Sequence, residues 1–179
     1  HLKAWNERRA HLASIYNQTL KNCPGLVTPT VSLAGGKADG AKDTVQHVYH
    51  QYTVRVLAPD RTLTLENSNR DRLIAQLTER GIGSMCYYPV PLHTQTAFQY
   101  LGYKMGQFPI SEQLSREVLS LPMYPELTDE QVAEVGKTIV ELLSEAEANK
   151  TATFAPAVVP AAAVPVTVPA TPVAVAPLA

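Results

Sequence analysis

Charge stops at Lys150. The 29 residues from Thr151 to Ala179 carry no charged side chain, and prolines recur at Pro156, Pro160, Pro165, Pro169, Pro172 and Pro177. Each proline costs about 3 kcal/mol inside a helix, and each removes a backbone donor that a sheet would need. A stretch this long exceeds the roughly 20 residues that span a bilayer. Proline at this density works against a spanning helix, however, and alanine and valine are only weakly driven into lipid. Residues 147–179 therefore read as a disordered Ala/Val/Pro-rich tail or linker, not as a membrane anchor. Whatever folds must be drawn from residues 1–146, which is enough for one domain with a core.

The formal net charge is −1. A chain so balanced lacks the electrostatic footprint of a nucleic-acid or membrane-surface binder. Cys23 and Cys86 are the only two cysteines. Two are too few for a disulfide framework, and no signal-like segment opens the chain, so a reducing cytoplasm is the expectation. The sequence opens on His1 without an initiator Met, and Leu2, Trp5, Leu12, Ile15, Tyr16 and Leu20 fall on one helical face at once. A helix entered with no N-cap ahead of it predicts a sequence that starts partway through a longer protein. In that case an apolar patch around Trp5, Leu12 and Tyr16 should stand exposed.

Further elements follow from local chemistry. Asn22-Cys23-Pro24-Gly25 ends the first helix, and Leu26 to Leu33 reads as a short strand with Pro29 at an edge or bulge. Ala34 to Asp43 reads as a loop. Val48, His50, Tyr52, Val54 and Val56 alternate with Tyr49, Gln51, Thr53, Arg55 and Leu57, the period of a strand, and Arg61 to Leu65 is placed to return as its partner. Ser68 with Asp71 predicts a helix cap, Leu73, Ile74 and Leu77 its apolar stripe, and Gly81 its stop. Ile82 to Tyr87 reads as another strand, Thr94 to Leu101 as a short helix closed by Gly102. Pro109 opens a helix with Leu114, Val118 and Leu119 facing in. Leu121 to Pro125 is extended by its prolines. Thr128 with Gln131 is a capping box, heading a helix striped by Val132, Val135, Ile139, Leu142 and Leu143. The expected class is α+β: a short, mostly antiparallel sheet covered by helices, with a long N-terminal helix.

Several patterns are too incomplete to carry chemistry. Cys86, within an apolar strand, reads as a packed thiol and not as a nucleophile. His47 and His50 would point to opposite faces of a strand, with no third ligand at metal spacing. Gly35-Gly36-Lys37 lacks the rest of a phosphate-binding loop, and Gly81-Ile82-Gly83 lacks the third glycine of a dinucleotide turn. The exception is Tyr87-Tyr88-Pro89-Val90-Pro91-Leu92-His93. Two prolines fix φ and bias Tyr88 and Val90 toward extended geometry, so the polar tips of Tyr87, Tyr88 and His93 sit on a stiff turn suited to a polar ligand.

The order of segments resembles a known family. Trp5-Asn6-Glu7-Arg8-Arg9, His47 to Arg55, Arg70-Asp71-Arg72-Leu73-Ile74, Gly81-Ile82-Gly83, the Tyr-Tyr-Pro-Val-Pro-Leu-His turn, Phe98, Leu101-Gly102-Tyr103, Pro109, and Leu119 to Thr128 look like the C-terminal third of the DegT/DnrJ/EryC1/StrS sugar aminotransferases. The match runs from Leu2 to about Leu143. It implies the small C-terminal domain of a fold-type I transferase. The complete enzyme would use pyridoxal 5′-phosphate to move an amino group from an amino acid such as glutamate to a nucleotide-linked keto sugar, as a homodimer. No lysine, Lys104 included, matches the Schiff-base position, so the resemblance implies no catalytic or cofactor-binding residue in this chain and no activity from it alone. It places Tyr88 first as a hydrogen-bond donor to the sugar or diphosphate, then His93. Tyr87 stands where many members have histidine, and Gln51 and Arg55 on the preceding strand rank lower. The alternative is a stand-alone binding or assembly module derived from the same domain.

Overall fold

The computed structural model describes residues 1–30, 47–57 and 68–148. The expected loop at Ala34–Asp43 with Gly35-Gly36-Lys37, the expected strand at Arg61–Leu65 and the tail beyond residue 148 lie outside the described residues.

Helix α1 (Leu2–Thr19) leads into β1 (Leu26–Val27) and β2 (Tyr52–Val56), then α2 (Ser68–Glu79). Two short 3-10 turns, Leu92–Thr94 and Thr96–Leu101, precede α3 (Pro109–Glu117), β3 (Val118–Leu121) and α4 (Asp129–Ala148). The three strands form an antiparallel sheet in the order β1-β2-β3. In its register Tyr52 faces Leu121 and Val54 faces Leu119. The period-two pattern of β2 is therefore realised with its expected phase: Tyr52, Val54 and Val56 are buried, and Thr53 and Arg55 lie on the other face.

The core lies between that apolar face and the long helices. Leu12 and Tyr16 of α1 and Leu20 just after it meet Leu73 and Leu77 of α2 and Val132, Val135 and Ile139 of α4. Tyr16 and Tyr52 stack with ring centroids 4.7 Å apart, and both hydroxyls are satisfied, on the Pro122 carbonyl (3.0 Å) and on Asn17 Oδ1 (2.6 Å). Burial pushes both phenols well above their usual range, so they stay neutral donors. Helix α4 starts on the capping box read from sequence: the Gln131 amide donates to Thr128 Oγ1 (3.2 Å), and the Thr128 amide donates to Gln131 Oε1 (2.9 Å). Its first turn is tied to α1 by Asp129, which accepts from Arg8 (2.7 Å) and His11 (2.7 Å). Further along, a Cβ at Gly136 would come within 2.6 Å of Thr19 Cγ2, so glycine lets α1 and α4 approach closely.

Five expectations need correction. The patch foreseen around Trp5, Leu12 and Tyr16 is mostly absent: Leu12 and Tyr16 are fully buried under α4 and the sheet, and only Leu2 and Trp5 at the start of α1 are exposed. The strand at Ile82–Tyr87 shrinks to one bridge between Met85 and Ser120. Pro122, which would oppose Gly83 at the next hydrogen-bonded position, lacks the donor to extend the ladder on that side. The strand expected over Leu26–Leu33 is formed only at Leu26–Val27 among the described residues, before Pro29. The helix opened by Pro109 ends at Glu117, so Val118 and Leu119 belong to β3, and Leu114 is partly exposed, not inward. The strand expected from Val48 begins only at Tyr52, so His50 and Gln51 precede it, because the backbone turns through a left-handed φ of 44° at Tyr49 and His47 Nδ1 accepts the Tyr49 amide (3.0 Å).

Candidate functional site

Helix α3 is unusual in its packing. Its buried side chains are Glu112, Ser115, Arg116 and Glu117, whereas Ile110 and Leu114 face outward. The outward face meets the tyrosine turn. Tyr87 and Tyr88 on one side, and Gln107 to Ser111 with Leu114, Ser115 and Val118 on the other, enclose a cavity of about 650 Å³. That volume accommodates a small organic ligand. Tyr88 is 71% exposed and packs edge-on against Tyr87 at 5.7 Å. Its hydroxyl is thus presented to solvent at the lip of a largely apolar cleft. The Tyr87–Tyr88 peptide is cis.

Tyr87 also lines a second cavity, of about 410 Å³, together with His50, Gln51, Ser84 and Ser120 on the non-core side of the sheet. Of the residues singled out from sequence, the structure therefore brings Tyr87 to both cavities, Tyr88 to the first and Gln51 to the second. Arg55 is engaged elsewhere: its Nε and Nη2 both donate to Glu117 Oε2, at 2.8 and 2.6 Å, and Gln113 holds the other oxygen.

His93 does not present a polar tip to solvent. Its side chain is 8% exposed, and Nε2 lies 2.9 Å from Glu112 Oε1. The Glu112 carboxylate also accepts the Gly106 amide (2.9 and 3.0 Å) and the Phe108 amide (3.2 Å). Burial pushes this carboxyl up, but the Gly106 and Phe108 amides and His93 together outweigh it, and the net shift is below the ordinary value of 4.5. The Phe108 ring leans on His93 at 4.8 Å and on Tyr103 at 5.1 Å.

Arg70 is another residue the sequence did not single out for its packing. It is buried, donates to the Ser115 carbonyl (2.6 Å) and to Cys86 Sγ (3.3 Å), and pairs with Asp71. It bolts α2 to α3 and to the base of the tyrosine turn. Burial pushes the Cys86 thiol up despite the Arg70 charge, so the thiol is not an activated nucleophile. No local pattern marks Glu112 or Arg70, because their partners lie at other places in the chain. The Arg-Asp-Arg run at 70–72 and a glutamate on the polar stripe of α3 were the only traces.

The described residues do not compose a pyridoxal phosphate site by themselves. That cofactor needs a lysine beside it, and Lys3, Lys21, Lys104 and Lys137, the lysines among the described residues, are all exposed and line neither tyrosine cavity. Among these residues no cluster of His, Cys, Asp or Glu is placed to hold a metal ion, and no helix is long and apolar enough to cross a membrane.

Comparisons with known proteins identify the family. Residues 1–140 match the sequence profile of the DegT/DnrJ/EryC1/StrS aminotransferase family. The chain is 43% identical over 143 residues to the pleiotropic regulatory protein of Geobacillus stearothermophilus, covering 79% of this chain and 33% of the relative. It is 35% identical over 141 residues to a dTDP-3-amino-3,4,6-trideoxy-alpha-D-glucose transaminase of Streptomyces venezuelae, covering 79% of this chain and 32% of that one. Its fold superposes on the crystal structure of S. venezuelae DesV in complex with a ketimine intermediate, with a TM-score of 0.64 and 31% identity over 80% of this chain and 33% of that chain. The chain spans about a third of the length of the curated relatives it matches. With its small antiparallel sheet, its covering helices and a family match over residues 1–140, this chain belongs to the DegT/DnrJ/EryC1/StrS aminotransferases, a family of pyridoxal 5′-phosphate-dependent enzymes.

Proposed function

We propose that this chain is the C-terminal, small-domain part of a nucleotide-sugar aminotransferase and supplies one wall of its substrate cleft. The observation that carries this reading is the cavity between the tyrosine turn and α3, open on the side away from the core, with all four described lysines outside it. An open half-cleft with binding groups but no Schiff-base lysine is what one wall of such a site needs. The remaining chemistry falls to the two thirds of the relatives' length that this chain does not span.

In this role Tyr88 donates a hydrogen bond to a sugar hydroxyl or a diphosphate oxygen. Tyr87 stands between the two cavities, and Gln51 offers an amide in the second. Phe108, Ile110 and Leu114 give an apolar surface against which a ring can lie and from which water is displaced. The complete enzyme would take a nucleotide-linked keto sugar and an amino donor such as glutamate, act as a homodimer and work in the cytoplasm. The chain alone would not turn over. When bound in the complete enzyme, pyridoxal 5′-phosphate would supply the electron sink for amino transfer.

Titration of the purified chain with thymidine diphosphate, followed through the aromatic NMR signals of Tyr87 and Tyr88, tests the wall. Saturable shifts that Tyr88→Phe weakens are expected. Shifts confined to residues remote from both cavities would overturn the reading.

A second reading has one observation behind it. Leu12 and Tyr16 are sealed within the core instead of lying open, as befits a domain able to stand alone. In that case the same cleft serves a binding or assembly module, and a monodisperse chain that binds the nucleotide without any partner domain would favour it.

A further inference from the structure

The cavity has two walls from separate parts of the chain. One is the turn at Tyr87 and Tyr88. The other is the loop and first turn of α3, from Gln107 to Ser111. His93 lies five residues after Tyr88, beyond two prolines that stiffen the link. Glu112 lies in the first turn of α3, directly after Ser111. Their side chains meet at 2.9 Å, with 8% and 3% exposure.

We infer that the buried His93–Glu112 pair is the clamp that fixes these two walls relative to each other, so that His93 acts on the ligand by positioning and not by contact. The inference rests on the reading of this cavity as a substrate wall and deepens it. Three features support it. First, His93 is absent from the lining of the tyrosine cavity, while Phe108, whose amide its partner holds, is part of that lining. Second, the one carboxylate gathers three donors, from His93, Gly106 and Phe108, which fixes the loop that leads into Phe108 and Pro109. Third, the Phe108 ring rests on the imidazole itself, so the position of His93 also sets that of an aromatic wall residue. Without the imidazole the buried carboxylate keeps only the Gly106 and Phe108 amides and loses its one bond to the tyrosine turn, so the link between the walls depends on His93.

The test uses the full chain and four forms of it: wild type, Glu112→Gln, His93→Leu and His93→Gln. Glutamine can place an N–H where the imidazole Nε2–H stands, whereas leucine fills space without donating. Amide hydrogen exchange at Gly106 and Phe108 should quicken about tenfold or more in Glu112→Gln and His93→Leu, while the Val54 amide in the central strand stays unchanged. Binding of thymidine diphosphate should weaken about tenfold in the same two variants and return in His93→Gln. Wild-type exchange and wild-type binding in His93→Leu would overturn the clamp. So would weak binding in His93→Gln with normal exchange at Gly106 and Phe108, because His93 would then touch the ligand itself. If the wild-type chain takes up no thymidine diphosphate, it is the substrate-wall reading that fails, and the exchange rates alone decide the clamp. A variant that does not fold leaves the judgement to the others, since the two sides of the pair are altered separately.

Discussion

The sheet with its long helices and the segment from Gly81 to Ser111 are built on opposite plans. In the first, apolar residues at helix and strand spacing face one another, and Tyr16, Tyr52, Val54, Leu119 and Ile139 are fully buried. In the second, hydrophobic side chains stand outward: Tyr88, Leu92, Tyr100 and Ile110 are each at least 66% exposed. What holds the second region is polar and buried, namely the His93–Glu112 pair and the Arg70 bonds to Ser115 and Cys86. Apolar burial makes the body, and a few long-range charged contacts hang a sticky surface on it. A surface of that kind suits a ligand or a partner, since a lone soluble chain rarely displays so much apolar area without a use for it.

The comparison predicts a gradient of mutational cost. The largest effect should come from Tyr52→Ala, which removes the stack on Tyr16 and the bond to Asn17, at about 3–5 kcal/mol by urea unfolding. A loss below about 1 kcal/mol would mean that the tyrosine stack is not central to the body. Gly136→Ala gains roughly 1 kcal/mol of helix propensity but drives a methyl into Thr19, which should cost about 1–3 kcal/mol. The net should be destabilising, and Thr19→Ala in the same chain should recover part of it. A net gain in stability from Gly136→Ala would show that α1 and α4 have room to spare.

Acid should loosen the fastenings in both regions. Glu112 is held below its ordinary 4.5 by the net effect of its environment, and Asp129 is held below 3.8 by the His11 and Arg8 hydrogen bonds. Carboxyls shifted down stabilise the fold while ionised. Their contribution is complete above the ordinary value and disappears as pH falls through the lower, folded-state value. Stability should therefore drop below about pH 4.5, and the double variant Glu112→Gln, Asp129→Asn should show a flatter acid limb by thermal unfolding at stepped pH. An acid limb identical to wild type would mean that neither carboxylate couples to folding.

The smallest effect on stability should come from Tyr88→Ala, within about 0.5 kcal/mol, because that side chain lies at the open lip. Its effect on thymidine diphosphate binding should be large by contrast. A destabilisation as great as that of Tyr52→Ala would erase the distinction between the two regions.

Much of the body was legible because its determinants are local. Thr128 and Gln131 form the expected reciprocal cap, Pro109 stands at the first turn of α3, and Gly81 and Gly102 end their elements with left-handed φ of 74°. The alternation at Tyr52, Val54 and Val56 gave the buried face correctly. The tyrosine cavity was legible only in half. Tyr87 and Tyr88 announce themselves by the prolines that follow, but α3 does not, since helical spacing alone assigns its outward Leu114 to the core. His93 could be placed on the turn, yet not inside the fold, because Glu112 is 19 residues away and no periodicity links them. Arg70 was hidden for the same reason, with its carbonyl partner at Ser115.

If this chain supplies a substrate-side wall of a family enzyme, as proposed, none of its own lysines should take up the cofactor. The most direct measurement is to incubate the purified chain with pyridoxal 5′-phosphate, reduce with borohydride and map modified lysines by mass spectrometry. No stoichiometric adduct at any single lysine is expected. A stoichiometric adduct on one lysine, Lys104 or another, would contradict the proposal and assign cofactor chemistry to this chain.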